Sequence, residues 1–135
     1  MGWLDKRIRA FGHAGRGIGV LLSAPHGRIH AVAAVVAILM GLWLRIATMD
    51  WALLVICIAL VLAAEAINTA VERLVDIVSP QWHPLARDAK DLAAGGVLIA
   101  AIGAAVVGVI IFLPYLSGRL QAVCSKNGRF RQGQK

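Results

Sequence analysis

Residues 51–76 read Trp51-Ala-Leu-Leu-Val-Ile-Cys57-Ile-Ala-Leu-Val-Leu-Ala-Ala-Glu65-Ala-Ile-Asn68-Thr69-Ala-Val-Glu72-Arg-Leu-Val-Asp76. From Trp51 to Ala64 no charged side chain interrupts the run; a carboxylate, an amide, a hydroxyl and two further carboxylates then follow at short intervals. A bilayer hydrocarbon core of about 30 Å takes roughly 20 apolar residues of helix. The stretch from Trp51 to about Val71 therefore predicts a membrane-spanning helix whose acidic residues mark the end where it meets water. Two more runs, Ile29–Leu44 and Leu92–Tyr115, have the same character, the first being short enough to need its flanks. With 59% hydrophobic and 16% charged residues in a 135-residue chain, no soluble domain fits in the remainder. The predicted fold is an all-α integral membrane protein: a surface helix and loop over 1–28, three spanning helices over 29–116, and a basic, irregular tail over 117–135.

Working outward, Leu4, Ile8, Phe11, Ile18 and Leu22 recur at helical spacings with Lys6, Arg9 and Arg16 between them, the pattern of an amphipathic helix lying on the membrane surface. Gly12, Gly15, Gly17 and Gly19 weaken that helix, by about 1 kcal/mol each in water relative to alanine, and permit close approach. Pro25 and Gly27 break the chain before the first span. The first 28 residues lack the apolar core and cleavage site of a signal peptide, so the N-terminus is expected to be retained.

Trp43 and Trp51 flank the loop holding Asp50, and Tyr115 falls at the same level, as in an aromatic belt. Gly96, Ala100, Ala104 and Gly108 form a small-residue stripe, read as helix packing. Three helices enclose little volume, so a polar site needs a homo-oligomer to shield it. Cys57 mid-bilayer and Cys124 in the tail are too far apart for a disulfide. The formal charge of +7 does not call for nucleic acid, because five of the fourteen cations (Arg119, Lys126, Arg129, Arg131, Lys135) lie in the tail. Lys6, Arg7, Arg9, Arg16 and Arg28, with Arg73, Arg87 and Lys90 in the second loop, outweigh the single Arg45 of the first loop and place the N-terminus and second loop inside. The tail then falls outside, against the same rule.

The chemistry concentrates on one helix face. At about 100° per residue, Asn68, Thr69, Glu72 and Asp76 fall within roughly 60° of Glu65. Glu65 lies inside the bilayer boundary, where an ionised carboxylate is costly and functional by default; the bland reading pairs it with a cation that holds helices together. Glu72 and Asp76, nearer water, suit a hard cation such as Mg²⁺, and Glu65 suits proton abstraction from a hydroxyl presented from the lipid side. Beyond Trp82-His83-Pro84, the spacing of Arg87, Lys90 and Asp91 puts them on one face: Lys90 could meet phosphate, Asp91 orient it or bind metal, and Trp82 stack on a base, against the bland reading of a solvated helix end. No Gly-x-x-x-x-Gly-Lys-Ser/Thr loop is present, and His26 and His30 lack a third ligand for zinc.

With Glu65-x-Ile-Asn68-Thr69-Ala-Val-Glu72-x-x-Val-Asp76 followed by Ala89-Lys90-Asp91-x-Ala93-Ala94-Gly95, the sequence resembles the bacterial diacylglycerol kinase family of small three-helix lipid kinases, over about Phe11 to Pro114. Ser79-Pro80, His83-Pro84-Leu85-Ala86 and Phe112-Leu113-Pro114 are similar to its undecaprenol kinase branch. The resemblance implies a homotrimer in the inner (cytoplasmic) membrane, with the N-terminus and active sites on the cytoplasmic side and the sites shared between neighbouring subunits. It also implies ATP as co-substrate and Mg²⁺ as cofactor. The residue matching Glu65 is the base that activates the lipid hydroxyl, and that matching Glu72 holds the metal. Asn68, His83, Lys90 and Asp91 match nucleotide-side positions, which the stacking candidate Trp82 joins, and His13 stands where the family has an aromatic nucleotide contact in the N-terminal helix; Ala94 and Arg28 join Glu65 as substrate-side positions. One departure is Ala24, where the family usually carries a second metal-binding glutamate shortly before the Arg-Ile-His that matches Arg28-Ile29-His30.

The expected activity is therefore ATP-dependent phosphorylation of undecaprenol or diacylglycerol. Two rivals differ in class: an inactive membrane scaffold that has lost its metal site through Ala24, and a proton-coupled carrier titrating Glu65, which leaves Lys90 and Asp91 without a role.

Overall fold

The computed structural model describes the backbone of residues 2–132 and the side chains of residues 2–5 and 7–121. Four helices follow one another: α1 (Trp3–Ser23), α2 (Pro25–Leu44), α3 (Thr48–Val78) and α4 (Pro84–Gln132). Three stretches, Pro25–Leu44, Thr48–Val78 and Pro84–Gln121, are long and apolar enough to cross a membrane. Only 17%, 28% and 17% of their most apolar windows is buried. Most of the apolar surface thus faces outward, as in a protein whose solvent is lipid.

The break between α1 and α2 has a local cause. Pro25 disfavours the helical conformation in the residue before it, and Ala24 is extended at φ −75°, ψ 139°. Proline then suits the first position of α2, where its missing N–H costs nothing. At Gly27 a Cβ would stand 2.1 Å from the Leu21 carbonyl oxygen, so only glycine lets the helices turn this sharply. The first span accordingly starts four residues before the expected Ile29, and its 20 residues give about 30 Å of helix, one bilayer core. The four glycines of α1 do not interrupt it.

α2 ends in a left-handed residue, Arg45 at φ 56°. Its N–H reaches the Leu42 carbonyl at 3.3 Å and the N–H of Ile46 reaches that of Gly41, also at 3.3 Å, which is the Schellman closure of a helix C-terminus. The buried Ile46 side chain then drops into a cluster with Leu44, Leu54, Ile111 and Phe112, against which Met40, Trp51, Tyr115 and Leu116 pack. This core lies at the end of the bundle where α2 passes into α3. Tyr115 donates its hydroxyl hydrogen to Asp50 Oδ2 at 2.6 Å and accepts the Ala47 N–H at 3.0 Å, putting the tyrosine at the level the aromatic pattern predicts.

α4 differs from expectation at its far end. The sequence reading closes the third helix near Tyr115 and has an irregular tail from residue 117, whereas the backbone stays helical to Gln132. Pro114 lies inside the helix and does not end it. No further proline follows, and Leu120, Gln121 and Ala122 are good helix formers. The side chains of Lys126, Arg129 and Arg131, and Lys135 altogether, lie outside the described residues.

Candidate active site

The polar face of α3 forms a ladder graded by burial. Glu65 is 2% exposed, Asn68 5% and Thr69 8%, although apolar stretches flank all of them. One turn further Glu72 is half-buried, and after another turn Asp76 is exposed. Asn68 Nδ2 donates to Glu72 Oε1 at 3.1 Å, so the amide holds the carboxylate along the helix. The other end of that amide, Asn68 Oδ1, is buried without a hydrogen-bond partner. Such an orphan costs about 1–3 kcal/mol unless something else supplies the contact.

Glu65 meets no cation within 4.0 Å among the described residues, where the ion pairs are Arg87–Asp91 and Lys90–Asp76. The bland reading of Glu65 as half of a helix-linking salt bridge therefore finds no partner among the described residues of one chain.

The second part of the site is the α3–α4 hairpin. Residues between Val75 and Asp91 line a cleft of about 260 Å³ whose walls include Asp76, Trp82, His83, Arg87, Lys90 and Asp91. Four residues singled out in the sequence, Trp82, His83, Lys90 and Asp91, are thus brought together. Trp82 presents a 77% exposed indole. His83 shapes the start of α4: its Nδ1 accepts the Leu85 N–H at 3.2 Å, and its carbonyl accepts the Arg87 N–H at 3.1 Å.

Other singled-out residues stay apart from this cleft. His13 is exposed on α1 with its Nδ1 2.9 Å from Arg16 Nη2. Arg28 is exposed in the first turn of α2 and donates to the Ser23 carbonyl at 3.4 Å. Ala94 is exposed on α4. Ala24, half-buried at the α1–α2 break, adds a methyl group and no ligand.

Arg87 pairs with Asp91 at 3.5 Å on the face that their spacing predicts. One feature escapes the sequence: Asp76 is read there as a companion of Glu72 on a metal, yet its carboxylate pairs with Lys90 across the hairpin. Helix periodicity places residues on a face but says nothing of the register between two arms of a hairpin.

For Mg²⁺ the donor set is chemically apt and small. Glu72 and Asn68 Oδ1 offer oxygen only, the preference of a hard cation that keeps waters and phosphate oxygens in its shell. Among the described residues no group of three His, Cys, Asp or Glu side chains converges on a point, so any such ion takes few ligands from one chain.

The family model described as prokaryotic diacylglycerol kinase matches residues 12–112, three quarters of the chain and the whole of the ladder and cleft. The chain belongs to the prokaryotic diacylglycerol kinase family. This lipid kinase is 35% identical over 114 residues to the undecaprenol kinase of Bacillus subtilis (strain 168), covering 84% of the present chain and 93% of that protein. The diacylglycerol kinase of Escherichia coli (strain K12) is 30% identical over 105 residues, 77% of this chain and 86% of its own. That of Synechocystis is 42% identical over 90 residues, where the match covers 66% of this kinase and 51% of the relative. Family membership and three apolar spans make the protein a membrane-embedded transferase, with ATP as co-substrate and a lipid as acceptor.

Proposed function

We propose that this kinase transfers the γ-phosphoryl group of ATP to the terminal hydroxyl of undecaprenol, with diacylglycerol as the second acceptor, at the cytoplasmic face of the inner membrane. The observation that carries the reading is Glu65: a carboxylate 2% exposed, two turns along one face from Glu72, with no cation beside it among the described residues. An ionisable group inside a membrane-spanning helix marks a functional site by default. The choice of undecaprenol rests on the Bacillus subtilis relative, which this chain matches over 93% of that protein's length.

In this reading the acceptor hydroxyl gives its proton to a Glu65 carboxylate oxygen as its own oxygen bonds to the γ-phosphorus. The bond from that phosphorus to the β–γ bridging oxygen breaks, and ADP leaves. Phosphoryl transfer asks a protein mainly for positioning and charge neutralisation. Lys90 supplies positive charge to the phosphates, Trp82 a face for the base, and His83 and Asp91 the polar walls between them. Glu72, with Asn68 beside it, would hold Mg²⁺, which would supply the rest of the charge neutralisation.

His13, Arg28 and Ala94 stand apart from the cleft in one chain. This favours a homotrimer in which α1 and the start of α2 of one subunit complete the site of its neighbour, with Arg28 and Ala94 toward the lipid and His13 toward the nucleotide. α1 then lies on the membrane surface, with Leu4, Ile8, Phe11, Ile18 and Leu22, all exposed in the single chain, turned to lipid.

The test is transfer of radiolabelled phosphate from ATP to undecaprenol and to diacylglycerol, in parallel, by the wild type and by Glu65→Gln. Labelled lipid from the wild type and at least a 100-fold loss in the variant, as expected on removing a general base, support the reading and rank the two lipids. No labelled lipid from the intact wild-type protein overturns it.

A further inference from the structure

Resting on that reading, we infer that Asp76 is a positioning residue whose task is to hold the Lys90 ammonium over the Glu72 end of the carboxylate ladder. The two ion pairs of the cleft differ in kind. Arg87 and Asp91 are one turn apart on α4, both about 70% exposed, and their contact at 3.5 Å fixes nothing that the helix has not already fixed. Lys90 and Asp76 are 14 residues apart and join the two arms of the hairpin. Lys90 is the less exposed partner, at 36% against 67% for Asp76.

The direction of the bond is informative. Lys90 carries a four-carbon stem with many rotamers and, left alone at the start of α4, would extend its ammonium into water. Asp76 is one turn beyond Glu72 on the face that also carries Asn68 and Glu65. Pairing with it turns the ammonium toward α3, beside the carboxylates where the phosphates must be placed for Glu65 to act on the acceptor. An exposed pair of this sort adds little to stability, so its consequence is sought in where Lys90 points. The other charged groups facing the cleft, Arg87 and Asp91, are engaged with each other and leave Asp76 as the carboxylate that Lys90 meets. Asp76 is thereby withdrawn from the metal and assigned to the lysine.

The experiment measures KM for ATP and kcat in wild type, Asp76→Asn, Asp76→Glu, Lys90→Met and the Asp76→Asn/Lys90→Met pair, at low ionic strength in mixed micelles, with the melting temperature of each. A surface-strength pair predicts a three- to fivefold rise in KM for Asp76→Asn, with kcat within twofold, the melting temperature unchanged, and recovery of at least half the effect in Asp76→Glu. In the Lys90→Met background the same change has no further effect on KM, because Asp76 acts only through the lysine. A KM that falls on removing Asp76 means that its charge repels the phosphates, and an equal rise in both backgrounds means that it acts on nucleotide or metal directly; either result overturns the inference. An inactive wild type would instead reject the kinase reading on which it stands.

Discussion

The two ends of the bundle are built on opposite principles. Where α2 passes into α3, five apolar side chains between 4% and 6% exposed close into a core, and the polar groups above it are satisfied in pairs. Tyr115 serves both Asp50 and Ala47, while Arg119 donates to the Trp43 carbonyl at 2.7 Å and lies 4.7 Å from the centre of its ring. Where α3 turns into α4, the buried polar residues are Glu65, Asn68 and Thr69, one amide oxygen has no partner, and the cleft beyond is open and charged. One end keeps the helices together. The other leaves polar groups buried, at a cost the first end offsets.

The contrast is sharpest in a pair of substitutions with reciprocal effects. Glu65→Gln should reduce phosphate transfer at least 100-fold while leaving stability equal or raised, because a neutral isostere removes a buried charge. Phe112→Ala, at a side chain 6% exposed in the apolar core, should lower stability by about 3 kcal/mol through lost contacts and a cavity. In the fraction that remains folded, KM for ATP should be unchanged. Unfolding in mixed micelles followed by circular dichroism, alongside the transfer assay, checks both. If Phe112→Ala changed KM, or Glu65→Gln cost stability, the division of labour between the ends would fail.

The first end and the ladder were legible in the sequence for different reasons. Trp43, Trp51 and Tyr115 gave a common level at one end of the bundle, and helical periodicity put Glu65, Asn68, Thr69, Glu72 and Asp76 on one face. Tertiary facts were not legible. The bond between Asp76 and Lys90 depends on how a five-residue loop, 79–83, sets the register of two helices. The start of α2 depends on Gly27 passing under the Leu21 carbonyl. The passage of α4 through Pro114 overrides the ordinary stop signal, and long membrane helices tolerate such a residue where neighbouring groups make up the lost hydrogen bond.

A smaller effect tests whether the first end is held by its apolar core or by its polar cap. Tyr115→Phe keeps the ring in the cluster and removes only the hydroxyl, leaving Asp50 without its donor and Ala47 N–H without its acceptor. The expected loss is about 1–2 kcal/mol, smaller than that of Phe112→Ala, with transfer activity unchanged. A loss matching that of Phe112→Ala would assign the polar cap the larger share.

The smallest effect has the opposite sign. Arg45 is the non-glycine residue at positive φ among the described residues, and its left-handed conformation costs an L-residue with a Cβ roughly 1–2 kcal/mol. Glycine removes that strain but gains freedom in the unfolded chain worth about 0.4–1 kcal/mol. Arg45→Gly should therefore stabilise the protein by about 0.5–1 kcal/mol, because the Schellman bonds from residues 45 and 46 use backbone atoms only and survive the change. Arg45 is exposed and makes no side-chain hydrogen bond or ion pair among the described residues, so nothing else is lost with it. A destabilised Arg45→Gly would show that the guanidinium holds this loop at the membrane surface, and that the first end depends on lipid contact as well as on its own packing.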